Sequence, residues 1–88
     1  MTRVRKNIER FTEAAIDDEV VLMRIDTGEF YSLTGTGAEI WRLIDGERSE
    51  ADVVKMLESS FNAPAAVIAK DVADLIRELA GMGLVDRA

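Results

Sequence analysis

The spacing of apolar positions changes character along the chain, and each change predicts a new element. "EVVLMRI" (Glu19 to Ile25) is short and rich in β-formers, which predicts a strand. "DTGE" follows as a tight reversal, with Gly28 able to take a positive φ. "FYSL" (Phe30 to Leu33) completes a hairpin. Its side chains alternate, so Phe30 and Ser32 face one way while Tyr31 and Leu33 face the other. The two adjacent aromatics therefore cannot both enter one core face, and one must find another surface. Upstream, "IERFTEAAI" (Ile8 to Ile16) fits either a strand or a helical turn, and Asp17 and Asp18 follow it as turn formers.

After the hairpin the period becomes helical. Thr36 and Glu39 have capping-box spacing and mark a helix start. Ile40, Trp41, Leu43 and Ile44 give that helix a wide apolar side that places Trp41 in the core, and Gly46 suits its C-terminal end. Ser49 and Asp52 cap a second helix, with Val53, Val54, Leu57 and Phe61 as its buried stripe. Pro64 suits the first turn of a third. There Ile68, Val72, Leu75 and Leu79 recur at spacings of four, three and four, a single apolar seam. Gly81 and Gly83 end it, and Leu84 and Val85 fold back onto the core. The expected fold is a small α+β domain: an N-terminal three-stranded antiparallel sheet followed by three helices, like a winged helix with its wing moved to the front.

Length and charge narrow the picture. The 88 residues suffice for one domain, read as residues 8–88 behind a flexible basic arm at residues 1–7. Arg3, Arg5, Lys6 and Arg10 carry the early positive charge, yet the net charge is −6. Nucleic acid binding needs a positive field that this chain lacks. The chain has no cysteine and no histidine, so thiolate metal sites, disulfides and His-based nucleophile systems are unavailable. No catalytic residue, metal or cofactor is expected. With no membrane-length apolar run and no signal-peptide segment at the N-terminus, the expected location is the cytoplasm.

On the third helix, Val67, Asp71, Asp74 and Glu78 lie along one flank of the seam, and Ala66, Ala69, Ala73 and Ala80 along the other. The acidic flank is either a solvated face or a surface for basic groups. Read as the recognition helix of a winged-helix nucleic acid binder, it would oppose phosphates with Asp71, Asp74 and Glu78 against only Lys70 and Arg77. A dimeric interaction module, self-pairing at an exposed hairpin edge, is a second alternative.

Several residues taken together are more specific. "GEFYSLTGTGAEIWRLIDGERSEADVV" followed by "DVADLIRELAGMGLV" resembles the PqqD-like family, recognition elements for ribosomally synthesised peptides that undergo modification. The matching features are the aromatic strand of Phe30, Tyr31 and Leu33, the small Gly37 before Ile40-Trp41, and the Asp45-Gly46 turn. The capped helix at Ser49, Asp71-Val72, and the closing Leu79…Gly83-Leu84 complete them. The likeness spans about residues 17–85 and departs at Thr34, where the family usually has asparagine. The resemblance implies a domain that does no chemistry. It would bind the leader segment of a precursor peptide by β-strand addition and deliver it to a processing enzyme. The stand-alone members serving lasso-peptide leader proteases look most similar; a PQQ-type chaperone for a radical SAM enzyme is the alternative. The implied peptide site is Glu29, Phe30, Tyr31, Ser32 and Leu33 on the strand, with Val67, Asp71, Asp74 and Leu75 on the last helix. The implied partners are the leader peptide and a leader protease or other peptide-modifying enzyme, with no nucleic acid or membrane, the chain being a monomer or weak homodimer.

Overall fold

A computed structural model describes residues 2–87 of the chain. Five strands and three helices follow in the order β1 (Val4–Lys6), β2 (Phe11–Ile16), β3 (Glu19–Arg24), β4 (Phe30–Leu33), α1 (Gly35–Leu43), α2 (Glu50–Glu58), α3 (Ala65–Gly81) and β5 (Val85–Arg87). The central sheet is antiparallel in the order β2-β3-β4, and β1 pairs with β5 in a separate two-stranded ribbon. The expected α+β architecture, three strands then three helices, is the one observed.

The hairpin forms as the pattern dictates. Gly28 takes φ +75, a backbone region that L side chains rarely adopt, so the reversal after β3 requires glycine. "IERFTEAAI" resolves as a strand from Phe11, with Ile8 left exposed in the preceding turn. Register pairs Val20 with Leu33, Leu22 with Tyr31, and Met23 with Phe30.

The inner sheet face carries Phe11, Val20, Leu22 and Leu33 into one core with Ile40, Trp41 and Ile44 of the α1 region and the seam of α3. Trp41 is fully buried and meets Phe11 edge-on, 5.3 Å between ring centroids. The seam residues Ile68, Val72, Leu75 and Leu79 are all buried, joined by Ile76. Ser49 and Asp52 form the expected capping box, each side chain accepting the other's backbone N–H.

Two local expectations are corrected. Within the expected arm at residues 1–7, the chain from Arg3 to Asn7 is not loose, and Met1 lies outside the described residues. Val4 is fully buried, and β1 is held by backbone bonds from Val4 N to Arg48 O (3.0 Å) and Gly46 N to Val4 O (2.9 Å). The Asn7 side chain donates to Gly83 O at 2.9 Å. The basic residues there are committed within the fold: Arg3 pairs with Glu47, Arg5 with Asp86, and Lys6 Nζ lies 4.4 Å above the Trp41 ring. Burial lowers the Lys6 pKa, and the nearby Glu13 and Asp45 carboxylates oppose that shift. The second correction is the start of α1. Thr34 occupies the N-cap position without a side-chain bond, because the left-handed Gly35 (φ +55) brings the chain into the helix before Thr36. Glu39 is then free to pair with Arg42 at 2.8 Å.

Candidate peptide-binding groove

The site is built on the edge strand β4. Arg24 N donates to Glu29 O at 2.9 Å, which fixes the hydrogen-bond phase of the β3–β4 ladder. Antiparallel pairs alternate, so Tyr31 and Leu33 spend their backbone groups on β3, while Phe30 and Ser32 turn theirs to the open edge. Side chains follow the opposite assignment. Leu33 is buried and Tyr31 half-buried toward the helices; Phe30, 71% exposed, and Ser32 point to the outer face.

α3 packs on α1, α2 and β5 rather than against β4, which leaves a groove between the strand and the helix. A depression of about 230 Å³ there is lined by Thr36, Gly37 and Ile40 of α1 and by Asp71, Asp74, Leu75 and Glu78 of α3. Gly37 sets its depth. A Cβ at that position would lie 3.6 Å from the Leu33 side chain and 3.9 Å from that of Leu75, so the absent methyl leaves space between two apolar walls.

The α3 wall is acidic but not uniform. Asp74 is engaged by Lys70 at 2.6 Å and Arg77 at 3.4 Å, and these hydrogen-bonded cations hold its carboxyl below the usual carboxylate range. Glu78 accepts from the Tyr31 hydroxyl at 3.1 Å, the bond that spans the groove from strand to helix. Asp71 is exposed and has no hydrogen bond or ion pair among the described residues. Burial raises the Tyr31 pKa, and the Glu78 carboxylate adds to the shift by holding the phenol in its neutral, donating form.

The structure sorts the candidate residues into three places. Tyr31, Leu33, Asp71, Asp74 and Leu75 surround the groove. Glu29 and Phe30 line a neighbouring depression with Arg24, Tyr31 and Met82, on the far side of the Tyr31–Glu78 bond. Val67, half-exposed on the first turn of α3, lines neither. Ser32 contributes its edge-facing backbone. Thr36, Gly37 and Ile40 were missed as site residues, and Gly37 could have been found only by asking why a helix carries a glycine in its first turn.

A larger cavity, about 390 Å³, opens at the start of α2 between Val4, Ser49, Glu50 and Arg87. Its helix-end donors are already satisfied by the capping box, and Arg87 is paired with Glu50 at 2.6 Å, so it offers a ligand little. Among the described residues no group of three or more acidic side chains is placed to hold a metal ion, and no helix is long and apolar enough to cross a membrane.

The model of the family described as Coenzyme PQQ synthesis protein D (PqqD) matches residues 19–85. A PqqA binding protein of Gluconobacter oxydans (strain 621H) is 43% identical over 49 residues, which is 56% of this chain and 51% of that protein. The alignment thus spans about half the length of that relative. Two solved structures share the fold at a TM-score of 0.83. TbiB1 in complex with the TbiA(beta) leader peptide is 27% identical, over 93% of this chain and 94% of the other. A lasso peptide synthetase B1 complexed with its leader peptide is 26% identical, over 96% and 98%. The heterocyclase TruD, at 18% identity and a TM-score of 0.67, contains the same fold in 12% of its chain.

Proposed function

The chain belongs to the PqqD family, and from that premise we propose that it is a non-catalytic carrier that binds the leader segment of a ribosomally made precursor peptide. The observation that carries this reading is the open edge of β4 beside a groove whose floor and wall come from α1 and α3. An extended peptide adds to that edge through the backbone groups of Phe30 and Ser32. Its residues opposite Tyr31 and Leu33 then direct their side chains into the groove, and the intervening ones face the outer side of the sheet. Likeness to two chains solved with leader peptides supports the reading.

The proposed destination of the peptide is a processing enzyme in the cytoplasm, a leader protease of a lasso-peptide pathway. The whole-length fold match to a lasso peptide synthetase B1 favours it. A second reading, carriage of a PqqA-like precursor to a radical SAM enzyme, is favoured by the 43% identity to a PqqA binding protein. Both give the groove the same task. Nucleic acid is not the proposed partner, because the exposed flank of α3 presents carboxylates.

Calorimetric titration with leader peptides of lasso-type and PqqA-type precursors tests the proposal. Binding is expected with no metal or nucleotide added. Asp71→Lys, which reverses a wall carboxylate that has no hydrogen bond or ion pair among the described residues, is expected to weaken it by more than about 1 kcal/mol with the fold intact. A strict requirement for metal or nucleotide, or largest amide shifts in Trp41–Phe61 that spare Glu29–Leu33, would overturn the assignment.

A further inference from the structure

The groove beside β4 joins two kinds of surface. Its floor is apolar: Leu33 and Leu75 stand on either side of the Gly37 gap, and Ile40 lines it as well. Its α3 rim is anionic. Of the carboxylates there, Asp74 is taken up by Lys70 and Arg77, whereas Asp71 and Glu78 have no ion pair among the described residues. Carboxylates alone would be an ordinary solvated helix face. Here they border an apolar-floored depression of about 230 Å³. The neighbouring depression differs. Its charges answer one another, Arg24 pairing with Asp26 at 3.1 Å and with Glu29 at 3.9 Å, and Phe30, Tyr31 and Met82 complete its lining. The Tyr31–Glu78 bond lies between the two.

We infer that the first depression selects a lysine or arginine of the bound peptide, at the position opposite Leu33, and that the second takes an uncharged apolar side chain four residues away. The inference rests on the peptide-carrying role proposed above. Residues four apart on an added strand share a face, as Glu29 and Leu33 do on this one. Between them, the residue opposite Tyr31 lies over the Tyr31–Glu78 bond and is expected to be small. The levels of strand and helix call for a long side chain in the first depression. Leu33 faces Leu75 across Gly37, and Asp71 lies four residues before Leu75, about 6 Å along the helix axis. A lysine stem rests on the apolar floor and carries its ammonium that distance to Asp71. A leucine buries the same floor but leaves the carboxylate unanswered. A glutamate meets Asp71 and Glu78 as like charges. The second depression has no open charge to satisfy, so apolar fit alone decides there.

The test selects binders to the whole chain from a displayed random peptide library. Enriched peptides are expected to carry lysine or arginine at one position, a small residue two away, and leucine, isoleucine or methionine four away. Asp71→Lys, at an exposed position, is expected to select glutamate or aspartate in place of the cation and to keep the apolar residue, a switch that loss of folding cannot produce. In calorimetry, exchanging the selected lysine for norleucine keeps the stem and removes the charge. It is expected to cost the wild type about 5- to 10-fold in affinity, and Asp71→Asn less than about twofold. Enrichment of apolar residues alone, an unchanged preference in Asp71→Lys, or norleucine binding as tightly as lysine overturns the inference. Binding of lasso-type or PqqA-type leader peptides with no such pattern enriched overturns this inference alone. No enrichment together with no binding of either leader removes the peptide-carrying role as well.

Discussion

The central sheet ends in two open strands, β2 and β4, and they are built differently. At β4 the edge-facing backbone belongs to Phe30 and Ser32, and a groove lies between that strand and α3. At β2 the bond from Ile25 N to Arg10 O sets the opposite phase, so Phe11, Glu13 and Ala15 turn their backbone groups outward. No helix packs along β2 as α1 packs along β3 and β4; only Phe11 reaches the core, against Trp41. Unpaired backbone alone is indifferent to sequence and is a liability as much as a site. What separates β4 from β2 is the α3 wall beside it, which under the proposed function would let that edge select side chains.

The largest expected effect removes the support beneath β2. Trp41→Ala deletes a fully buried indole, at an expected cost of about 3–5 kcal/mol in chemical denaturation. Its Nε1–H is buried without an acceptor, a burden of about 1–3 kcal/mol that the mutant sheds, so the lower end is expected. Hydrogen exchange should show β2 losing protection before β4; equal loss would mean the two edges share their support.

Next in size is a pair of prolines that break one edge at a time. Ser32→Pro removes an edge-facing donor on β4 without touching its ladder to β3, and Ala15→Pro does the same on β2. The first is expected to weaken leader binding by at least ~10-fold and the second by less than twofold, read by calorimetry. Equal losses would erase the distinction between the edges.

Gly37→Ala sharpens it from the groove side, with two effects of opposite sign. A helical glycine exchanged for alanine is expected to raise stability by about 0.5–1 kcal/mol. The same methyl fills the space between Leu33 and Leu75, so leader affinity is expected to fall severalfold. Denaturation and calorimetry on one sample decide whether the space matters to the peptide.

The smallest effect is spectroscopic. Tyr31 is the only tyrosine, so absorbance at high pH reports one phenol. Burial and Glu78 raise its pKa above the ordinary value near 10. The stabilisation tied to that shift is present in full below the unfolded-state pKa and is lost as pH rises through the folded one. Glu78→Gln is expected to move the midpoint back toward 10 and to leave a residual shift from burial.

What the sequence disclosed about these regions depended on how local the signal was. The β3–β4 hairpin and all three helices were legible because period, turn and cap are written within a few residues, as at Gly28 and at Ser49 with Asp52. The split of Phe30 from Tyr31 followed from alternation alone. β1 and β5 were not legible: three residues carry no period, and the polar look of "TRVRK" hides a Val4 whose partners lie at the other end of the chain. The acidic wall could be drawn on a helical wheel. The α1 side of the groove could not, because Gly37 contributes by lacking a side chain. Thr36 misled, since a capping-box spacing says nothing of the glycine that starts the helix earlier.

The β1–β5 ribbon also sets an order in time. Val4 sits opposite Arg87, so β1 finds its partner only after the three helices between them have been made. During synthesis the hairpin and α1 can assemble from near neighbours, while Val4 waits for β5 to emerge. A contact of such long sequence separation pays its loop-closure entropy late. Until it forms, Trp41 lacks the Lys6 lid that closes over its ring. The β2–β3–β4 sheet can therefore form before the β1–β5 ribbon closes over the core, and late closure is expected to appear as late protection of the Val4 amide in pulse-labelled hydrogen exchange.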